Sequence, residues 1–129
     1  MKLEHVAVWT KDLERLRQFY VKYFGAASNA KYVNAKKQFE SYFLSFQTGA
    51  RLEIMYSPGI QDLPSEKQIQ HTGYVHIAFA LGSKDQVDAL TSRLQSDGYQ
   101  LLDGPRYTGD GYYESSFLDP DGNPIELTI

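Results

Sequence analysis

The sequence predicts an α+β fold of two βαβββ modules, which form a curved mixed sheet with the helices on its outer side. Short β-branched and aromatic runs alternate with two segments of helical periodicity. The same order of elements occurs twice, in residues 1–56 and 73–129. Neither half of a 129-residue chain is long enough to bury a core alone, so both modules are expected to form one domain, residues 1–129.

The first module begins with a strand at residues 3–9. Apolar residues then recur at helical spacing as far as Phe24, and Gly25 stands where a left-handed helix end is expected. Three strands are predicted after this helix, the first of them irregular or at a sheet edge: residues 26–38, 39–46 and 51–56.

The second module repeats this order after a linker at residues 57–72, which has little periodicity. A strand at 74–81 precedes a helix whose start is marked by a capping box at 83–86, and Gly98 follows its end. Residues 103–112 are rich in glycine and predict a mobile loop. Three further strands are predicted: residues 99–102, 113–118 and 125–129.

Composition excludes several classes of protein. The 13 basic and 16 acidic residues give a formal charge of −3, which argues against a nucleic-acid binder. The absence of cysteine excludes a disulfide scaffold, a thiolate zinc site and a cysteine nucleophile. No apolar run is long enough to span a membrane, and charges interrupt the first apolar run, unlike a signal peptide. We therefore expect a cytoplasmic protein.

Polar side chains are concentrated on one face of the predicted strands. Because side chains alternate along a strand, the bulky apolar residues share one face and should pack under the helices. The opposite face carries one histidine and one glutamate from each module: His5, Glu53, His76 and Glu126. Small neighbours such as Ala7 and Ala78 leave open volume there. A sheet that curves away from its helices would bring these four side chains together in a concave site.

The repeated pair favours a metal site, with one divalent ion per site. A lone strand histidine or glutamate is more often structural, but two modules repeat the same pair, and a buried carboxylate is costly unless paired or metal-bound. Two imidazoles and two carboxylates suit a first-row divalent ion such as Zn²⁺, Ni²⁺, Co²⁺, Mn²⁺ or Fe²⁺. Four protein ligands in octahedral geometry leave two positions for water or substrate oxygens, which suits Lewis-acid chemistry.

The chain resembles the vicinal oxygen chelate superfamily and, within it, glyoxalase I (lactoylglutathione lyase). The order His-Glu-His-Glu of the four polar residues is the most specific feature of this resemblance. The matching segments cover nearly the whole chain: residues 3–7, 12–14, 19–20, 24–25, 51–54, 75–78 and 119–127.

The resemblance implies a reaction and roles for the glutamates. A 2-oxoaldehyde such as methylglyoxal forms a hemithioacetal with a thiol. The family isomerises it to a 2-hydroxyacyl thioester by proton transfer through a metal-bound enediolate. By position, Glu126 resembles the catalytic base. Glu53 either remains a metal ligand or acts on the opposite hand of the substrate, and the sequence leaves these roles open.

Two positions depart from glyoxalase I enzymes that use glutathione. Trp9 and Ser57 stand where those enzymes often have an arginine and an asparagine that contact glutathione carboxylates. These replacements disfavour glutathione and leave open another low-molecular-weight thiol or another vicinal-oxygen substrate. Trp9 could instead cap the core. Three alternative functions remain: a drug-resistance-type binding protein of the same fold, a thiol transferase and an epimerase.

The resemblance also implies a homodimer. Glyoxalase I relatives of this length form domain-swapped dimers, in which His5 and Glu53 of one chain would join His76 and Glu126 of the other. The predicted linker is long enough for either arrangement, so its length does not decide between sites within one chain and sites between chains.

Overall fold

A computed structural model describes residues 1–62 and 72–129 of the chain, which divides into two compact units, Met1–Ile69 and Gln70–Ile129. Each unit contains one main helix and one mixed sheet, so the α+β prediction is confirmed. Most of the predicted linker, residues 63–71, lies outside the described residues. In the described part of the chain, every helix is too short or too polar to cross a membrane.

The first unit contains a five-stranded sheet in which the order is β1-β5-β4-β2 and β3 also pairs with β4. The pair β1–β5 is parallel and the remaining pairs are antiparallel. Its elements are β1 (His5–Trp9), α1 (Leu13–Phe24), β2 (Ala27–Ser28), β3 (Tyr32–Asn34), β4 (Phe39–Ser45) and β5 (Arg51–Tyr56).

The single strand predicted at residues 26–38 is in fact two short strands, β2 and β3. Asn29 lies between them and explains the interruption. Its side-chain oxygen accepts the backbone N–H of Phe43 at 2.8 Å, while its own N–H donates to the Phe43 carbonyl at 3.2 Å. The side chain thus replaces the backbone acceptor at this point, and the regular ladder stops.

Helix α1 ends where the sequence predicts, at Phe24. The Asp12 carboxylate accepts the backbone N–H of Arg15, and Gly25 closes the helix with a φ of 62°. The helix packs on β4 and β5, where Leu44 and Ile54 are fully buried. The helix therefore covers one face of the sheet, and the side chains of His5 and Glu53 project from the opposite face.

The second unit has a four-stranded sheet in the order β6-β9-β8-β7, with β6–β9 parallel. Helix α2 packs on β7, β8 and β9, and its start is capped by the Ser83 hydroxyl, which accepts the Gln86 N–H. Its elements are β6 (Ile77–Ala80), α2 (Lys84–Ser96), β7 (Leu101–Tyr107), β8 (Tyr113–Leu118) and β9 (Pro124–Thr128). The first strand is shorter than predicted, so His76 immediately precedes it.

The prediction of a mobile loop at residues 103–112 is wrong for the first half of that range. Strand β7 continues to Tyr107, and only the tip is a turn, closed by hydrogen bonds between Thr108 and Tyr112. In this glycine-rich stretch, the pairing of β7 with β8 shifts in register. Gly104, with a φ of 83°, makes the passage possible because a Cβ there would lie 2.4 Å from the Glu114 carbonyl oxygen.

Replacing Gly104 with alanine is expected to destabilise the protein by about 3 kcal/mol, because the new methyl group meets backbone atoms at an unfavourable φ. Gly109→Ala is the matched control, since its Cβ would have no neighbour within 4 Å. Urea unfolding followed by circular dichroism measures both. Equal midpoints for the two variants would contradict the close approach of β7 to β8.

Candidate functional site

His5 and Glu53 form a donor pair on the open face of the first sheet. In the parallel pairing of β1 with β5, Glu53 lies opposite Ala7, and His5 is two residues before that alanine on the same face. The small alanine side chain lets the two polar groups approach, so that His5 Nε2 lies 3.8 Å from Glu53 Oε2. The Glu53 side chain is 15% exposed and that of His5 is 41% exposed.

The second unit builds the same pair in the same way. Glu126 lies opposite Ala78 in the parallel pairing of β6 with β9, and His76 is two residues before that alanine. His76 Nε2 is 3.2 Å from Glu126 Oε2. The Glu126 side chain is 24% exposed. The structure thus brings together His5 with Glu53 and His76 with Glu126, and the repeat seen in the sequence is a repeat of site geometry.

The donor set fits a divalent ion. In both units a ring nitrogen and a carboxylate oxygen face one another beside an alanine, and imidazole with carboxylate is a donor combination suited to first-row ions. Within residues 1–62 and 72–129, no group of three or more histidine, aspartate or glutamate side chains is arranged to hold an ion. Each unit by itself therefore brings together two candidate donors, one imidazole and one carboxylate.

A carboxylate that is not among the predicted site residues orients the imidazole of His5. The Nδ1–H of His5 donates to Glu4 Oε2 at 2.5 Å. The Arg51 guanidinium donates to Glu4 Oε1, with its Nε at 2.7 Å, and lies over the Phe43 ring at 4.1 Å. The hydrogen bond from His5, and then those from Arg51, lower the pKa of Glu4. Nε2, the other ring nitrogen, faces Glu53 at 3.8 Å. A carboxylate partner on the ring nitrogen that does not bind the ion is common for metal-binding histidines.

Within residues 72–129 of the second unit, this orienting contact has no counterpart. Arg51 lies beside His5 because the two are paired in the β1–β5 register, which the sequence does not reveal. The adjacency of Glu4 and His5 was the one available signal. The residue before His76 is Val75, whose apolar side chain cannot accept a hydrogen bond. The two histidines are therefore held differently although their glutamates are placed alike.

Glu4→Gln is expected to lower divalent-metal affinity roughly 10-fold, because the neutral amide holds the Nδ1–H less strongly and is a poorer partner for Arg51. Competition of the protein with a chromogenic chelator measures the change. Asp85→Asn, an exposed acidic residue in the first turn of α2, controls for the loss of one negative charge. Equal affinities for the two variants would mean that Glu4 does not support His5.

Trp9 does not cap the core. Its side chain is half-exposed, and because it is four residues after His5 in β1 it lies on the open face. Its ring meets that of Phe39 edge-on, with centroids 6.1 Å apart. Ser57 lies nearby, where it lines a cavity of about 390 Å³. Both positions that depart from glutathione-using enzymes are thus on the surface of the first unit.

Comparisons with known proteins agree with this architecture. The chain is 28% identical to the uncharacterized protein YqjT of Bacillus subtilis, over 97% of this chain and 96% of the other. It is 25% identical to the glutathione transferase FosA of Serratia marcescens, over 98% of this chain and 79% of the other. The crystal structure of a glyoxalase family protein from Enterococcus faecalis superposes with a TM-score of 0.79 at 26% identity, covering 99% and 97% of the two chains.

The comparison with protein families covers nearly the whole chain. Residues 2–127 match one family, and this range includes both His–Glu pairs. The resemblance drawn from the sequence is therefore confirmed at the level of the family. The chain belongs to the Glyoxalase/Bleomycin resistance protein/Dioxygenase superfamily.

Proposed function

We propose that this protein is a metal-dependent lyase of the glyoxalase I type, which isomerises the hemithioacetal of a 2-oxoaldehyde and a thiol to a 2-hydroxyacyl thioester. The observation that carries the proposal is the duplicated His–Glu pair, built once in each unit opposite an alanine. Superfamily membership supports it, but the superfamily also includes binding proteins and dioxygenases. The retention of both glutamates favours the lyase among these classes.

The proposed metal ligands are His5, Glu53, His76 and Glu126, and Zn²⁺ or Ni²⁺ is the preferred ion. When bound, such an ion supplies Lewis-acid polarisation of the two adjacent oxygens of the substrate. The imidazoles of His5 and His76 offer Nε2 as donors, and Glu4 keeps the first of these rings in place. The same donor set would therefore both position the substrate and favour loss of its C–H proton.

Glu126 is the proposed base. Its carboxylate removes the proton from the carbon that bears the thioether sulfur and the hydroxyl group. The electron pair of that C–H bond moves into the neighbouring carbonyl group. Glu126 then delivers this proton to the adjacent carbon. The hydroxyl proton of the first carbon passes to the oxygen of the former carbonyl group, so the first carbon becomes the thioester carbonyl, the second bears the new hydroxyl group, and the net reaction is an isomerisation. Its 24% exposure, against 15% for Glu53, supports this choice because the base must reach a bound substrate.

Turnover and metal content together test the proposal. The protein is loaded with Zn²⁺ or Ni²⁺, freed of excess metal and assayed for bound ion. It is then supplied with methylglyoxal and each of several thiols, and thioester formation is followed by ultraviolet absorbance. We expect stoichiometric metal and metal-dependent thioester formation with at least one thiol. Stoichiometric metal without thioester formation would favour the thiol transferase or epimerase, whereas no bound metal and no turnover would favour the binding protein.

We further propose that the protein is a homodimer in which the pair His5–Glu53 of one chain completes a site with the pair His76–Glu126 of the other. The presence of two donors in each unit supports this arrangement. Mixing His5→Ala and His76→Ala chains, each inactive alone, is expected to restore on the order of a quarter of the activity, because half of the dimers are mixed and regain one of two sites. Demonstrated subunit exchange without activity would place each site within one chain.

A further inference from the structure

We propose that the open face of the first sheet carries a binding site for a flat aromatic group with an attached anion, formed by Trp9, Tyr32, Phe39 and Lys37. This site would hold the ring-bearing end of the thiol substrate, an assignment that rests on the proposed function. We call these four residues, Trp9, Tyr32, Phe39 and Lys37, the aromatic site.

Strand register places the aromatic site on the same face as the first donor pair. Tyr32 is paired with Ser41, Ser41 with Met55, and Met55 with Trp9, so these four side chains share one face of the sheet. Phe39 is two residues before Ser41 and joins them. Phe43 is two residues after Ser41 and is paired with Glu53. The aromatic site and Glu53 therefore open on the same side.

The separation suits one extended substrate. Trp9 is four residues after His5 along β1, which corresponds to roughly 13 Å. A thiol with a chain of several bonds between its sulfur and its ring could reach from the donor pair to the aromatic site. The same spacing keeps the ring clear of the groups that move the proton.

Three rings form the walls of the site. Phe39 is central, with its centroid 6.1 Å from that of Trp9 and 6.1 Å from that of Tyr32. Trp9 is 50% exposed and Tyr32 is 53% exposed, although large aromatic side chains on a sheet face usually gain much by burial. The adjoining cavity of about 390 Å³ is large enough for a ring and its substituent.

The charge of the residues that line this cavity favours an anionic substituent on the bound ring. Among the residues that the structure describes, the cavity is lined by Tyr32, Asn34, Lys37, Phe39 and Ser57, so the one charged residue in this lining is a lysine. The Asn34 side chain accepts the backbone N–H of Lys37 at 3.1 Å, which fixes the turn that carries the lysine. A cationic ligand would be repelled here. A ring flanked by a carboxylate, or a similar anion, would satisfy the rings and the ammonium group together.

Trp9 provides a direct probe of this site because it is the one tryptophan in the sequence. Metal-loaded protein is titrated with 3-phenylpropionate, and Trp9 fluorescence is recorded with excitation at the red edge of its absorption. Hexanoate, which has the same charge but no ring, is the matched ligand. We expect a saturable fluorescence change with phenylpropionate and at least a 10-fold weaker response to hexanoate. No difference between the two ligands overturns the proposal.

Variants locate the binding. Tyr32→Ala and Lys37→Gln are each expected to weaken phenylpropionate binding at least 5-fold. Tyr112→Ala removes a side chain of matched exposure, 54%, from the second unit and should change nothing. Equal affinity in wild type, Tyr32→Ala and Lys37→Gln would also overturn the aromatic site.

This titration measures binding without turnover, so its failure is distinct from failure of the proposed function. Ring-dependent binding in a protein that isomerises no hemithioacetal would retain the aromatic site and reject the lyase. In an active protein, the aromatic site predicts a higher kcat/KM for hemithioacetals of an arylalkyl thiol acid than for those of glutathione. This preference should be lost in Tyr32→Ala, and a preference unchanged by that substitution counts against the site.

Discussion

Replacing Glu126 with glutamine is expected to abolish turnover while leaving the fold intact. Glutamine keeps the size and shape of the side chain, but its amide cannot accept the substrate proton. The loss of general-base catalysis alone should therefore lower kcat by a factor of about 10²–10⁴. The fold should survive because Glu126 projects from the open face, whereas its neighbours Ile125 and Leu127 supply the buried face of β9. Steady-state kinetics and thermal unfolding of the metal-loaded variant measure the two effects.

The neighbouring strand offers a matched control. Glu114 lies in β8, opposite Thr128 of β9, and Glu114→Gln removes the same charge without touching a histidine pair. We expect near-normal kcat for this control. A Glu126→Gln protein that retains its metal and has near-normal kcat would show that Glu126 is not the base.

Glu53→Gln separates the two roles left open for Glu53. If Glu53 is a ligand, the variant should bind metal more weakly but act on both hands of the hemithioacetal when saturated with the ion. If Glu53 is a second base, metal-saturated protein should lose activity toward one hand of the substrate. Following the disappearance of each enantiomer distinguishes these results.

The second large effect is on metal binding. His5→Ala and His76→Ala are each expected to lower divalent-metal affinity more than about 100-fold, beyond the range typical of residues that only orient a ligand. Each substitution removes one of two nitrogen donors and leaves the paired glutamate facing an empty space. Chelator competition and bound-metal analysis after dialysis measure the loss.

The third histidine is the control for these variants. His71 lies outside the described residues, and His71→Ala removes an imidazole that belongs to neither pair. Its metal stoichiometry should match that of the wild type. If His5→Ala and His76→Ala also bind metal with unchanged stoichiometry and affinity, the ion is held elsewhere in the protein.

Much of the secondary structure could be predicted from local sequence. Helix α1 has the predicted end because Gly25 marks it chemically, and β5 and β8 have the predicted bounds. The predicted strand bounds are wrong where a side chain or a glycine changes the hydrogen bonding between neighbouring strands. Asn29 interrupts one predicted strand, and Gly104 allows β7 to run through a stretch that resembles a loop. Secondary-structure propensities depend only on the local sequence, whereas the effect of both residues on the strand bounds depends on the neighbouring strand.

The sequence by itself determined which residues share the open face, because side-chain alternation places His5 and Glu53 there whatever the pairing of their strands. Only the tertiary structure decided which of those residues meet. The parallel register sets Ala7 against Glu53 and Arg51 beside His5, and so creates both the donor pair and the orienting contact from Glu4. Register depends on hydrogen bonds between segments distant in the chain, and no local pattern encodes it.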